Sequence, residues 1–221
     1  MLDHVLVDLI SAIRRSLDEA LLQRQAVEER FQVDVFLGDV SWETSYSLPG
    51  EEQPPRVRAD LSLDWPTWSQ TAYRSWSIGE APDELPEVVL EVAVRIQRLS
   101  GPPPVDRVLA VLAPETPVLG SEPLLRTSTT VEQVYGDVER APDRGVDPGP
   151  ARWAVEGTYE GSIRLDERHL ESPATMRETV DALTRWVSST LVQLADLPLA
   201  YLPPDPSELP DVPDRPEPPE G

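Results

Sequence analysis

The sequence predicts an α+β protein with a mainly antiparallel sheet, a long N-terminal helix, two further helices and an extended proline-rich C-terminal tail. Three patterns support this prediction. Apolar residues recur every three or four positions at the start of the chain and again after Ser172-Pro173, which is typical of amphipathic helices. Between these segments, residues 56–65 alternate strictly between polar and apolar side chains, which is typical of a half-buried strand.

The first helix is predicted from a long apolar stripe. The stripe consists of Leu2, Leu6, Leu9, Ile13, Leu17, Leu21, Val27 and Phe31. A helix of this length spans about 40 Å at 1.5 Å per residue. We therefore expect it to pack on a long partner, which is either a second helix of the same chain or another copy of itself.

Residues 31–48 are predicted to form a pair of strands. Apolar residues occupy odd positions before Gly38-Asp39 and even positions after it. A two-residue hairpin turn at Gly38-Asp39 explains this change of parity, and a bulge at Gly38 in one long strand is the alternative. The hairpin pairs Leu37 with Val40, Val35 with Trp42, and Phe31 with Tyr46.

The next three elements follow from the same patterns. The buried face of the 56–65 strand is Val57, Ala59, Leu61, Leu63 and Trp65, and Pro66 ends the strand. Residues 71–78 are predicted to form another strand of the sheet. A helix is predicted over residues 85–99, with a buried face of Leu85, Val88, Val89, Val92, Ile96 and Leu99.

Three prolines at 102–104 mark a candidate joint in the chain. Residues 1–101 and 105–198 are therefore predicted as two halves packed together, or as one continuous domain, and residues 199–221 as a tail. The second half is predicted to contain strands at 105–112, 130–138 and 153–165, with a loop at 140–150. Its helix begins at Ser172-Pro173, which are favoured cap and first-turn residues, and ends before Pro198.

The composition excludes several classes of protein. The 221-residue chain has no cysteine, so a disulfide scaffold, a thiolate nucleophile and cysteine-ligated metal are excluded. All 19 basic residues are arginine and asparagine is absent, which indicates a GC-rich bacterial or phage genome because lysine and asparagine use A-rich codons. No apolar run is long enough to span a membrane and no signal-peptide pattern is present, so we expect a soluble, cytoplasmic protein.

The formal net charge is −21, and it is spread over the whole chain. The tail segment 203–221 carries a net charge of −5, which leaves −16 on residues 1–202. Such a surface repels phosphate backbones, so direct nucleic-acid binding is not expected. A basic protein partner is favoured instead, although acidity of this kind also serves solubility.

Few residues in the sequence are suited to catalysis. The two histidines, His4 and His169, are predicted to lie at an exposed helix end and in a solvated turn. The pairs Glu87–Glu91 and Glu156–Glu160 are interpreted as solvated faces, because pairs arise by chance among 40 acidic residues. We predict no catalytic, cofactor-binding or metal-binding residues and no enzymatic activity.

Two segments are candidate interaction sites. One is an aromatic cluster with an adjacent arginine, consisting of Trp65, Trp68, Tyr73, Arg74 and Trp76. Stacked aromatic rings bind sugars or bases, but core packing is the default for Trp65, and Trp68 is predicted to lie in a loop. The other is the acidic tail, whose prolines favour an extended docking strap over a helix or a central strand. The tail prolines considered are Pro203, Pro204, Pro206, Pro210 and Pro213.

These observations favour a non-catalytic structural or adaptor subunit of a larger assembly, with a protein partner or another copy of the chain. The alternative is an acidic decoy that occupies a basic, nucleic-acid-type groove on an enzyme or regulator. A third hypothesis is a sugar or small-molecule binder built on the aromatic cluster.

The predicted order of elements also resembles a family of assembly proteins. The N-terminal helix, the VDVFL hairpin, the ADLSLDW strand and the helix at 85–99 resemble tail-terminator and tail-cap proteins of phages and phage-like injection machines. The resemblance covers less than half of the chain and does not assign it to that family. It implies a subunit located in a virion or injection particle, or in the cytoplasm before assembly.

Overall fold

The computed structural model describes residues 4–24, 26–36, 38–48, 55–119, 122–134, 151–171 and 173–203. Within these ranges the protein is α+β, as predicted, with one antiparallel sheet and helices on one of its faces. The helices are α1 (His4–Leu21), α2 (Thr67–Ser77), α3 (Val105–Val111), α4 (Glu167–Glu171) and α5 (Pro173–Ala195), with a short 3-10 helix at Leu22–Arg24. The strands are β1 (Val27–Phe36), β2 (Asp39–Leu48), β3 (Val57–Trp65), β4 (Glu87–Leu99), β5 (Glu115–Leu119), β6 (Glu122–Val134) and β7 (Arg152–Arg164).

Within the described ranges, the sheet has seven strands in the order β1-β2-β3-β4-β7-β6-β5. The β4–β7 pair joins strands from both sides of the prolines at 102–104, so one sheet runs through both halves of the chain. Helices α1 and α5 pack on each other, and their buried residues form one core with the inner face of the sheet. The opposite face of the sheet is here called the open face, and it contains the polar positions of the central strands.

The N-terminal helix is shorter than predicted. Helix α1 ends at Leu21, so its 18 residues span about 27 Å, and residues 27–36 form β1 instead. The stripe from Leu6 to Leu21 is buried and packs with α5, which is the long partner helix of the same chain. The prediction failed because Val27 and Phe31 fit the helical spacing by coincidence, whereas residues 27–36 pair with β2.

The β1–β2 hairpin is confirmed, but its register differs from the predicted one by two residues. Val35 pairs with Val40, Val33 with Trp42, and Phe31 with Thr44. Asp39 pairs with Phe36 and so belongs to β2 and not to the turn, and Gly38 adopts φ +96°, which glycine tolerates without strain. A shift of two residues keeps every side chain on the same face of the sheet. The alternation of apolar residues therefore predicted the face of each side chain but not its partner on the other strand.

Strand β3 matches the prediction at every inward position, since Val57, Ala59, Leu61, Leu63 and Trp65 are all buried. In contrast, the predicted helix at 85–99 is wrong, because residues 87–99 form the central strand β4. Val88, Val92 and Ile96 are spaced four residues apart, and this spacing fits both the period of a helix and the period of a strand. Leu90 and Val94 complete a buried alternation, and Leu85 and Val89, predicted to be buried, are exposed. The many β-branched residues favour the strand.

The predicted strand at 71–78 is also wrong, because residues 67–77 form α2. The N-terminus of this helix is capped from the β1–β2 hairpin: Asp39 Oδ1 accepts hydrogen bonds from Thr67 N (2.6 Å) and Thr67 Oγ1 (2.7 Å). These two hydrogen bonds hold the pKa of Asp39 below its usual value. A cap supplied by a residue 28 positions earlier cannot be recognised from the local sequence.

Residues 105–111 form α3 and not the predicted strand. Val108 N and Leu112 N bond to the carbonyl groups four residues earlier, and both side chains are buried. The predicted strand at 130–138 is the end of the longer β6 as far as Val134. Residues 135–138 and the predicted loop at 140–150 lie outside the described residues.

Strand β7 and helix α5 are confirmed. Gly157 and Gly161 lie on the same face of β7 as the buried Tyr159. At Gly161 a Cβ atom would lie 2.7 Å from Leu124 Cδ2, so the absence of a side chain allows β6 to pack against β7. The buried stripe of α5 is Val180, Leu183, Val187, Leu191 and Leu194.

Candidate functional site

Three rings of the aromatic cluster form a chain of contacts. Trp65 is 1% exposed, and its Nε1 donates a hydrogen bond to Ser69 Oγ (3.0 Å). The rings of Trp65 and Tyr73 are tilted with centroids 5.7 Å apart, and the rings of Tyr73 and Trp76 are stacked at 6.3 Å. Trp65 therefore belongs to the core, and Tyr73 extends it to α2.

The remaining members of the cluster lie on the surface of α2. Trp68 is in the helix rather than in a loop, and it is 43% exposed. Arg74 Nη2 donates a hydrogen bond to Gln70 Oε1 (3.3 Å), within the same helix. The structure thus separates Trp68 from the Trp65–Tyr73–Trp76 contacts, which weakens the hypothesis of a stacked binding platform.

The first residues of the predicted tail are attached to the end of β4. Leu99 and Tyr201 form a β-bridge, Arg98 Nη2 donates a hydrogen bond to Leu202 O (2.6 Å), and the guanidinium group of Arg56 lies 5.0 Å from the centroid of the Tyr201 ring. Pro203 is exposed, whereas Pro204, Pro206, Pro210 and Pro213 lie outside the described residues. The first residues of the predicted tail, up to Pro203, therefore lie beside the end of β4.

Strand β1 is an edge strand with exposed apolar side chains. It has ten residues and, of the strands that the structure describes, it pairs only with β2, at one end of the sheet. Val33 and Val35, which the sequence predicts to share one face of the hairpin, are 37% and 66% exposed, and Phe36 is 73% exposed. Val33 and Val35 lie on the same face of the sheet as the buried residues Trp42 and Val40, whereas Phe36 lies on the opposite face. An edge strand of ten residues with exposed apolar side chains near its end can pair with a strand of another chain.

The open face of the sheet contains a row of carboxylates. Glu43, Ser62, Glu91 and Glu160 occupy neighbouring register positions on β2, β3, β4 and β7. The pair Glu87–Glu91 lies on this strand face and not on the predicted helix. Towards the other end of the face, Arg95 forms ion pairs with Glu132 (2.7 Å) and Glu156 (3.3 Å).

The carboxylates of the open face repel one another. Desolvation raises the pKa of Glu91, and the negative charges of Glu160, Asp64, Glu156 and Glu43 raise it further. Desolvation and the charges of Glu43 and Asp39 likewise raise the pKa of Asp64. The face therefore has a surplus of negative charge that a cationic partner would relieve.

Replacing Glu91 by glutamine is expected to stabilise the protein at neutral pH by less than about 1 kcal/mol, because water screens this exposed group. Since the pKa is raised in the folded state, the native protein binds the proton more readily than the unfolded chain. The destabilisation that ionised Glu91 causes is therefore at its full value at neutral pH, and it disappears as the pH falls below about 4. Urea unfolding at both pH values measures the difference, and Glu19→Gln on the exposed side of α1 is the control. An equal effect at both pH values would contradict the electrostatic cause.

His169 is not in the solvated turn that the sequence predicts. It lies in α4, its side chain is 7% exposed, and its Nδ1 lies 2.7 Å from Asp166 Oδ1. It borders a cavity of about 520 Å³ at the ends of β7 and α4 and the first turns of α5. No local motif marked this cavity, because its walls come from segments far apart in the sequence. His4 is the first described residue of α1.

In the described ranges, no group of three or more histidine, aspartate or glutamate residues is arranged to hold a metal ion. None of the described helices is both long enough and apolar enough to cross a membrane. Comparison of the chain with models of known protein families, with curated proteins and with solved structures finds no match in any of the three. The resemblance to phage tail proteins included a predicted helix at 85–99 as its fourth element. This helix is not present, since residues 87–99 form a strand.

Proposed function

We propose that this protein is a non-catalytic subunit or adaptor of a larger bacterial or phage assembly, and that β1 is the edge through which it joins another copy of itself. The exposed β1 edge is the observation that carries this proposal. Antiparallel pairing of two β1 strands is self-complementary and continues the sheet across a two-fold axis. Such a subunit acts in the cytoplasm or within a virion or injection particle.

The net charge opposes this association, because two copies of −21 repel each other. The pairing must therefore gain its free energy from the backbone hydrogen bonds of the edge and from burial of Val35 and Phe36. Salt screens the repulsion with a Debye length of about 8 Å at physiological ionic strength. Self-association by this edge is thus expected to strengthen as salt is added.

The test is the mass in solution, measured by light scattering behind size exclusion at low and at high salt. We expect a defined multiple of 24.6 kDa that becomes more populated at high salt. A chain ending at Pro203 keeps the hydrogen bond from Arg98 to Leu202 and removes the acidic segment, so it should associate at least as well as the full chain. A monomer under all conditions would overturn the proposal.

The open face favours a second candidate function, an acidic decoy that occupies a basic groove of a partner protein. What supports it is the row of carboxylates from Glu43 to Glu160 and the raised pKa of Glu91. The two functions respond to salt in opposite ways. Binding of an arginine-rich peptide to the open face should weaken steeply as salt is added, whereas self-association through β1 should strengthen.

A further inference from the structure

The cavity beside His169 is separate from the β1 edge and from the open face. Its polar wall is formed by Arg164 at the end of β7, Arg168 and His169 of α4, and Thr175 and Thr179 of α5. Its apolar wall is formed by Leu85, Val118 and Ala182. A volume of about 520 Å³ and a mixed lining are typical of sites for small molecules.

The wall around His169 is held by a chain of hydrogen bonds. Asp166 Oδ1 accepts from the backbone N of His169 (3.1 Å) and lies 2.7 Å from Nδ1 of the ring. His169 Nε2 lies 3.3 Å from Thr179 Oγ1, which donates a hydrogen bond to Thr175 O. The hydrogen bond from His169 also lowers the pKa of Asp166, so this carboxylate is ionised and already engaged. The ring is therefore fixed in one orientation at the cavity wall.

The wall of the cavity contains two cations, Arg164 and Arg168, and two carboxylates, of which Asp166 is already engaged by His169. The guanidinium group of Arg168 has no ion pair among the described residues, and Arg164 has only long contacts, with Glu87 (3.9 Å) and Glu122 (3.6 Å). Glu178 is the opposing carboxylate. Thr175 lies in the first turn of the 23-residue helix α5, where the helix dipole favours an anion. An anionic group next to Arg168 is therefore favoured locally in an otherwise acidic protein.

The geometry points to a binding site for a small organic anion with an apolar body, of which a medium-chain carboxylate is the simplest example. The carboxylate lies against the guanidinium groups of Arg164 and Arg168, which bind such groups through paired hydrogen bonds. The apolar body lies against Leu85, Val118 and Ala182. The overall negative charge does not prevent this binding at physiological salt, because charges more than about 8 Å away are largely screened.

Octanoate is the probe that tests this inference, with octylammonium and inorganic phosphate as comparisons. Amide chemical shifts recorded during titration of the full chain give both the affinity and the location of binding. We expect octanoate to saturate in the millimolar range or below and to shift the amides of His169 and Thr175. Octylammonium and phosphate should each bind at least about tenfold more weakly, because one lacks the anion and the other lacks the apolar body.

Two exposed arginines provide a matched pair of variants. Arg168→Gln should weaken octanoate binding about tenfold, whereas Arg185→Gln on the exposed side of α5 should leave it unchanged. Both side chains are exposed, so neither change should unfold the protein. Equal binding of octanoate and octylammonium, equal binding of phosphate, or an unaffected Arg168→Gln variant would overturn the inference. Because β1 is not part of this cavity, its failure would not affect the proposed assembly function.

Discussion

Replacing Trp65 by alanine is expected to lower the free energy of unfolding by about 3–5 kcal/mol. The indole is 1% exposed, packs against Tyr73, and donates a hydrogen bond to Ser69 Oγ. Its removal leaves a cavity where the end of β3 meets α2, and Ser69 loses a partner. Urea unfolding followed by circular dichroism measures the change.

Trp68→Ala is the matched control, since it removes the same side chain three positions along the sequence. This tryptophan is 43% exposed, so its loss should change the free energy of unfolding by no more than about 0.5 kcal/mol. If both variants lose the same stability, the assignment of Trp65 to the core and Trp68 to the surface is wrong. If Trp68→Ala instead reduces binding of a sugar, the result would support the aromatic cluster as a binding site.

Replacing Val35 by lysine is expected to weaken self-association at least about tenfold, because lysine on an exposed edge prevents strand pairing. The side chain is 66% exposed, so the monomer should keep its stability within about 0.5 kcal/mol. The substitution also makes the net charge less negative, which by itself would favour association. A weaker oligomer can therefore be attributed only to the blocked edge.

Ile78→Lys introduces the same charge at an apolar side chain that is 72% exposed and lies at the C-terminal end of α2 instead of on β1. It should leave the mass in solution unchanged or slightly favour association. The measurement is light scattering over a range of protein concentrations at constant salt. Equal behaviour of the two lysine variants would exclude β1 as the edge that joins the subunits.

The sequence predicted the faces of the strands better than it predicted their partners. In β3, every inward position was identified, because alternation with a period of two is a local property of the chain. In the β1–β2 hairpin, the same alternation predicted the inward side of Trp42 and Tyr46 but allowed a register two residues away. The backbone pairing of the whole hairpin decides between these registers.

Among the candidate site residues, the sequence identified the members of the aromatic cluster. It did not predict that the cluster divides into a buried part and a part on the surface of a helix. Trp65 was expected to favour the core, and the structure places it there, whereas Trp68 and Arg74 lie on a helix that the sequence did not predict. The cavity at His169 was not predicted, because Leu85, Val118 and Ala182 come together only when β5 and α5 pack beside the end of β7.

The sequence by itself determined the α+β class, the inward face of β3, strand β7, and helix α5 from its cap and its stripe. In each of these segments, the apolar residues follow a single period. The residues that begin or end the element lie within a few positions of it. Only the tertiary structure decided that residues 67–77 are a helix and residues 87–99 a strand. Helix α2 receives its cap from Asp39, and β4 receives its hydrogen bonds from β3 and β7. Both kinds of partner lie far away in the sequence, and the free energy they contribute overrides the local preference.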